Sequence, residues 1–301
     1  MKTLKLALDW TPNINHIGFF IAKEKGFYAA ENISLDIINP LEDNYTVTPG
    51  KKLELDMADF AIAPFETVIS LNNKSNKVDA IAIYAILQED LSSIASLKSN
   101  NLTNPKMLDG KIYASYKARY EDKIIEELVR NNGGKGKFEI TYPDKLGIWN
   151  RLIEGKADAT WIFDNWEGVE AAGKNIALNT WSLKDSDIPY GYSPIVIAKN
   201  ANLKKHKQVY ENFIKATQKG FLFATNNALE SIAILEKYVT NYDKENINLE
   251  QTLAVTKQYF GTNATCGFMD KQKVDLFLNW LVEKGLETNK ILAQELFKNL
   301  L

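Results

Sequence analysis

The sequence predicts an α/β protein of two lobes. Three observations lead there. The chain has 301 residues, more than one average domain and enough for two. Strand and helix patterns alternate in two successive βαβ series, each able to build its own sheet. A late apolar strand then leaves the second series and returns to the first. Parallel strands of such units carry ligand groups at their carboxyl ends, so a cleft between the lobes, closing by a hinge, is the expected site.

The elements follow in order. Thr3 to Trp10 alternates apolar and polar residues and stops at Thr11-Pro12-Asn13, a strand ending in a loop. Gly18 to Lys25 has helical periodicity, with Gly26 as its stop. Ile33 to Ile38, Ala58 to Ala63, Ala80 to Leu87 and Ile94 to Lys98 read as further strands, with a helix from Pro64 through about Asn72. The second series begins at the strand Lys111 to Ala114. The loop Ser115 to Tyr120 follows it, then a helix over Glu121 to Arg130 and a break at 131–136. A strand over Lys137 to Tyr142, a helix over Leu146 to Gly155 and a strand over Ala157 to Ile162 complete it. Tyr190 to Ala198 is the returning strand. Beyond His206 the pattern is helical, over Phe213 to Thr225, Ala228 to Tyr238, Leu249 to Tyr259 and Lys271 to Lys284. The expected lobes are residues 1–88 with 195–301, and residues 89–194, with crossings near 88–93 and 188–194.

Composition excludes several classes. Hydrophobic residues make up 45% and charged residues 25%, with a formal net charge of −2; no basic excess invites nucleic acid. No apolar run approaches the length of a membrane span, so direct membrane insertion is not expected. The single cysteine, Cys266, cannot form an internal disulfide. Two histidines, His16 and His206, make no histidine-rich metal site. HExxH, CxxC and P-loop patterns are missing. No paired acid/base spacing or nucleophile elbow points to a hydrolase. No metal and no resident cofactor are expected.

The segment LDWTPNINHIGFFIAKEKGFYAAENI, Leu8 to Ile33, resembles the opening of a family that joins bacterial binding proteins for thiamine-pyrimidine precursors to the fungal thiamine-pyrimidine synthase. Matches continue in register at ADFAIAPFETVI (58–69), LQEDLSSIASLKS (87–99), LDGKIYASY (108–116), IEGKADATWIFDNWEGVEA (153–171) and YGYSPIVIAKN (190–200). The resemblance spans roughly residues 3 to 240. Its Trp-Thr-Pro-Asn with the following Lys-Gly-Phe is fairly specific; the other segments are generic to the wider fold, which also serves sulfonates, nitrate and flavins. It implies the type II periplasmic-binding-protein fold and a small-molecule pyrimidine ligand, delivered to an ABC transporter permease.

Within that frame the candidate ligand residues are these. Trp10 would stack a planar heteroaromatic ring, and Asn13 would hydrogen-bond its nitrogens. His16 is either a ligand contact or a structural cap. Glu66 stands at a helix start, where the helix dipole alone accounts for a carboxylate, or it faces the ligand. Ser92 and Ser93 offer hydroxyls from the crossover, or are exposed linker residues. Tyr116, Lys117 and Arg119 lie between a strand and a helix N-terminus, a position that binds anions through free backbone N–H groups; solvated surface charge is the alternative. Asp164, Trp166 and Glu167 follow the strand ADATWI. Glu167 is the favoured polar anchor, meeting the amine edge of an aminopyrimidine with paired hydrogen bonds. Tyr190 and Tyr192 would supply an aromatic face opposite Trp10.

The fungal branch implies an alternative: an enzyme of thiamine-pyrimidine synthesis that consumes pyridoxal phosphate. It needs a Schiff-base lysine and, four residues on, a histidine, which the alignment places within Ile62 to Thr67. This chain has neither there, nor the branch's cysteine-rich run. A third reading is a binding protein for a flavin or a sulfonate. The start, MKTLKLALDW, lacks the long apolar stretch of a secretory signal. A periplasmic or lipid-anchored protein is expected if a signal was removed, and a cytoplasmic one if the chain is complete as written.

Overall fold

The computed structural model describes residues 1–301. In chain order the elements are β1 Lys2–Ala7, α1 Ile17–Glu24, α2 Phe27–Ala30, β2 Ile33–Ile38, α3 Pro49–Glu54, β3 Phe60–Ala63, α4 Glu66–Asn72 and β4 Ala80–Ala85. Then come β5 Ser92–Leu97, β6 Ile112–Ala114, α5 Glu121–Asn131, β7 Glu139–Thr141, α6 Ile148–Ile153, β8 Ala159–Phe163, α7 Glu167–Gly173 and β9 Leu178–Trp181. The last stretch carries β10 Ile195–Lys199, α8 Asn200–Lys205, α9 Lys207–Asn226, α10 Ala228–Leu235, α11 Asn241–Asn246, α12 Leu249–Thr256 and α13 Lys271–Glu283.

The chain divides into two compact units. One comprises residues 1–90, 191–274 and 294–301; the other comprises residues 91–190 and 275–293. The sequence reading placed all of 195–301 in the first lobe, and 275–293 departs from it. The reason is chemical. Glu287 takes the Arg119 guanidinium at 2.6 Å and the Tyr120 hydroxyl at 2.6 Å, and Lys284 pairs with Glu127 at 2.6 Å. Phe277 packs edge-on to both Tyr120 and Tyr190. Nothing in the local pattern of 271–287 announces those partners, which lie far earlier in the chain, as far as 168 residues for Arg119 and Glu287.

The two sheets share one plan. The first runs β2-β1-β3-β10-β4 and the second β7-β6-β8-β5-β9. In each, three parallel strands are followed by an antiparallel fourth: β10 against β3 and β4, β5 against β8 and β9. The parallel strands come from the βαβ units read in the sequence. β9 is an edge strand that the sequence reading missed, because LNTW is too short and too polar to stand out. β3, β4 and β10 are buried almost throughout, as strands covered on both faces must be, and they accordingly read as continuous apolar runs. The outer edge of β4 is not left open. Ala82 exchanges backbone hydrogen bonds with Leu296 and Lys298, and the Ala85 N–H donates to Gly267, so the C-terminal residues cover it.

The first core is aromatic. Phe60 of β3 stacks on Phe213 of α9 with centroids 4.1 Å apart, and Phe213 stacks on Tyr28 at 5.6 Å. The buried Tyr28 hydroxyl meets Thr217 Oγ1 at 2.7 Å, so its polar end is satisfied.

Candidate functional site

In each sheet the carboxyl ends of the parallel strands lie along one edge. In the first unit that edge carries the residues after β1, β2 and β3, together with the approach to β10. In the second it carries the residues after β6, β7 and β8, together with the start of β5. Every candidate residue falls on one of these two edges.

The first edge is organised by His16. β1 ends at Ala7 rather than at Trp10, and residues 8–16 form a connection that ends in one 3-10 turn, Ile14–His16. His16 is fully buried. Its Nδ1 accepts the Asn13 N–H at 3.3 Å, and its Nε2 lies 2.8 Å from Asp9 Oδ1. A backbone N–H can only donate, so Nδ1 is the acceptor and Nε2–H is the donor. Asn13 completes the turn: its Oδ1 accepts the Asn15 N–H at 2.9 Å and its Nδ2 donates to the Thr11 carbonyl at 3.0 Å. His16 and Asn13 were expected as ligand contacts. The structure commits both ring nitrogens of His16, and both ends of the Asn13 amide, to the loop itself, and the cap alternative describes His16.

That framework presents Trp10. It is half-buried, with Tyr45 beside it at 6.4 Å between centroids. Tyr45 was not a sequence candidate. It sits in the loop after β2 with a positive φ of 58°, and its position past the carboxyl end of a parallel strand was the one available signal. Burial pushes its hydroxyl pKa up, with Asp9 and Asp43 adding to the rise. Glu66 opens α4 and is buried, as the sequence reading placed it. Tyr192 is buried too. Its carbonyl accepts the Phe65 N–H at 2.9 Å, and its hydroxyl accepts the Asp270 N–H at 2.9 Å. Expected on a strand, it lies in the segment leading to β10.

On the second edge the loop 115–120 departs most from expectation. Its N–H groups were read as a ready anion site, and the chain's own Glu121 uses them. Glu121 Oε1 accepts the Tyr116 N–H at 3.0 Å and the Tyr113 hydroxyl at 2.9 Å, while Oε2 accepts the Ala118 N–H at 3.1 Å. The Lys117 N–H goes to Ser115 Oγ at 3.0 Å. Lys117 itself is exposed, with its ammonium over the Tyr142 ring at 5.2 Å. Arg119, expected to add charge for a ligand anion, is paired with Glu287 through its Nε and Nη2.

Burial raises the Glu121 pKa above its ordinary value of 4.5, against the lowering effect of its three donors. The native state therefore holds this proton more tightly than the unfolded chain. Stability from this group is greatest below the ordinary value and falls as pH rises through the native pKa. In a urea series over pH, wild type is expected to lose stability relative to Glu121→Gln across that window. Parallel curves would show that the carboxyl does not titrate there.

Ser92 and Ser93 are not exposed linker residues: they open β5 and are buried. Ser93 Oγ donates to Asp164 Oδ2 at 2.6 Å. Asp164 follows β8, remains exposed, and has its pKa raised by the protein around it, with Ser93 pulling it down. Glu167, the favoured anchor, is 7% exposed in the first turn of α7, and its Oε2 accepts the Phe163 N–H at 2.9 Å. That bond caps the strand-to-helix turn. Trp166 is buried beneath the same turn. Tyr190 is half-buried, tilted on Trp161 with centroids 5.1 Å apart. Trp161 was also missed, although its alternation with the buried Thr160 and Ile162 places it on the opposite, less buried face of β8.

Comparison with known proteins agrees with this architecture. The chain is 22% identical to the formylaminopyrimidine-binding protein of Halalkalibacterium halodurans over 100% of its length and 91% of the relative's. It is 24% identical to the 4-amino-5-hydroxymethyl-2-methylpyrimidine phosphate synthase of Legionella pneumophila over 78% of this chain and 74% of that one. Among solved structures it superposes on the alkanesulfonate-binding protein SsuA of Xanthomonas axonopodis pv. citri, bound to MOPS, with a TM-score of 0.74, 10% identity and coverage of 99% and 98%. Its fold is therefore the two-lobed α/β fold of periplasmic binding proteins. The model of the NMT1/THI5-like family matches residues 13–231, and the chain belongs to that family.

Proposed function

We propose that this chain is a substrate-binding protein for a thiamine-pyrimidine precursor of the hydroxymethyl- or formylaminomethyl-aminopyrimidine type, serving an ABC uptake permease. The observation that carries the reading is Asp164. Ser93 holds one carboxylate oxygen and leaves the other for a further donor, and an aminopyrimidine presents that donor in its exocyclic amine. A charged hydrogen bond of this kind is strong. Asp164 thus takes the anchoring role that the sequence reading gave to Glu167. Within the first unit, Trp10 with Tyr45 forms an aromatic surface of the kind on which a flat ring stacks. The relative named for formylaminopyrimidine, aligned over the whole chain, supports the same ligand class.

Calorimetric titration with hydroxymethylpyrimidine and with its formylamino precursor tests this. Saturable binding is expected. Trp10→Ala is expected to weaken it about 10- to 100-fold, as loss of one aromatic–base stack does. Asp164→Asn is expected to weaken it by a similar factor, about that of one charged hydrogen bond. No saturable binding of either compound, or full affinity in both variants, would overturn the reading.

The similarity to a pyrimidine phosphate synthase raises an enzymatic alternative. Residues 62–67 are Ile-Ala-Pro-Phe-Glu-Thr and offer no amine. They do not fit a pyridoxal phosphate Schiff base at the position the resemblance implies, and the binding reading is preferred.

A further inference from the structure

Glu121 has a consequence for ligand selection. A strand carboxyl end leading into an α-helix is where backbone N–H groups collect around an anion. Here the strand is β6, the helix is α5, and the anion is already present as a side chain. The carboxyl group is 2% exposed and takes three donors, two of them the backbone N–H groups of Tyr116 and Ala118. The neighbouring groups are balanced in the same way. Ser115 Oγ takes the Lys117 N–H and in turn donates to Asp122 Oδ1 at 2.7 Å. Glu287 neutralises Arg119. Burial lowers the Lys145 pKa while Glu121 acts to raise it.

We infer that Glu121 is a specificity-determining residue: an internal carboxylate that fills the N–H cradle before α5, so that the ligand of this protein carries no phosphate, sulfonate or nitrate group at that position. The inference rests on the carboxyl edge being the ligand-bearing face. It does not depend on which neutral ring is bound. Glu121 is covalently tethered, so an external anion would compete with it at a disadvantage of effective concentration. It would also bring a second negative charge beside a buried one.

Inorganic sulfate and inorganic phosphate are the probes, and the whole chain is the sample. Wild type is expected to show no rise in melting temperature with either salt beyond that of chloride at equal ionic strength. The Tyr116 and Ala118 amide resonances are expected to show no saturable shift. Glu121→Ala vacates the cradle and is expected to gain at least tenfold in sulfate affinity, with a melting temperature that climbs as sulfate is added. A saturable shift of those two amides in wild type would overturn the inference. So would a folded Glu121→Ala protein that gains no anion affinity. If that variant does not fold, the wild-type amide titration decides the matter alone. Failure of pyrimidine binding would leave every one of these readings unchanged, so the two proposals fall separately.

Discussion

Gly220→Ala is expected to destabilise the first unit by about 3 kcal/mol, at the upper end of overpacking costs. A Cβ built on Gly220 of α9 would lie 2.0 Å from the Gly18 carbonyl oxygen and 2.9 Å from the Gly18 carbonyl carbon, both backbone atoms of α1. A flexible side chain could swing aside, but a helix backbone cannot. The two helices must part, and the contact is reciprocal: a Cβ on Gly18 would lie 2.2 Å from the Phe221 ring. Gly26→Ala supplies the contrast. Its φ is +71° and nothing lies within 4 Å of the added Cβ, so only the left-handed backbone penalty of about 1 kcal/mol applies. Urea unfolding of both variants separates the two costs. Equal losses would show that helix separation is cheap. The site follows the same contact, because α1 directly continues the loop that presents Trp10.

His16→Ala is the second large effect. It should cost about 3 kcal/mol, combining a ring-sized cavity with an Asn13 N–H and an Asp9 carboxylate left without their partner. The loop 8–16 then loses its internal brace, and Trp10 loses its fixed position. Pyrimidine affinity is expected to fall at least as far as in Trp10→Ala, because both ring nitrogens of His16 brace the loop that presents Trp10. Affinity retained in a destabilised protein would show that the Trp10 loop is held by other means.

These effects show what was legible and what was not. The strand FAIA was readable because burial on both faces demands apolar residues throughout, and the apolar run of α9 because one face packs on Phe60. The carboxyl ends were readable for the same reason, as local pattern changes to turn residues there. Trp10, expected to end the first strand, lies in the loop three residues past it. The roles of Glu121, Glu167 and His16 were not readable. Each is a polar residue at a helix or loop start, where a ligand contact and an internal cap share one local signature. Only the partner distinguishes them: the Tyr116 and Ala118 N–H groups, the Phe163 N–H, Asp9.

The sequence by itself determined the two βαβ series, the returning strand and the family, though not the edge strand β9. All of these rest on periodicity and motifs within a few residues of one another. The tertiary structure decided which polar groups remain for a ligand. Arg119 meets Glu287 across 168 residues and Ser93 meets Asp164 across 71. Such pairs form only when the backbone brings them within hydrogen-bond range. Whether a charge is consumed inside the protein or presented at its edge is a property of that packing rather than of the residue.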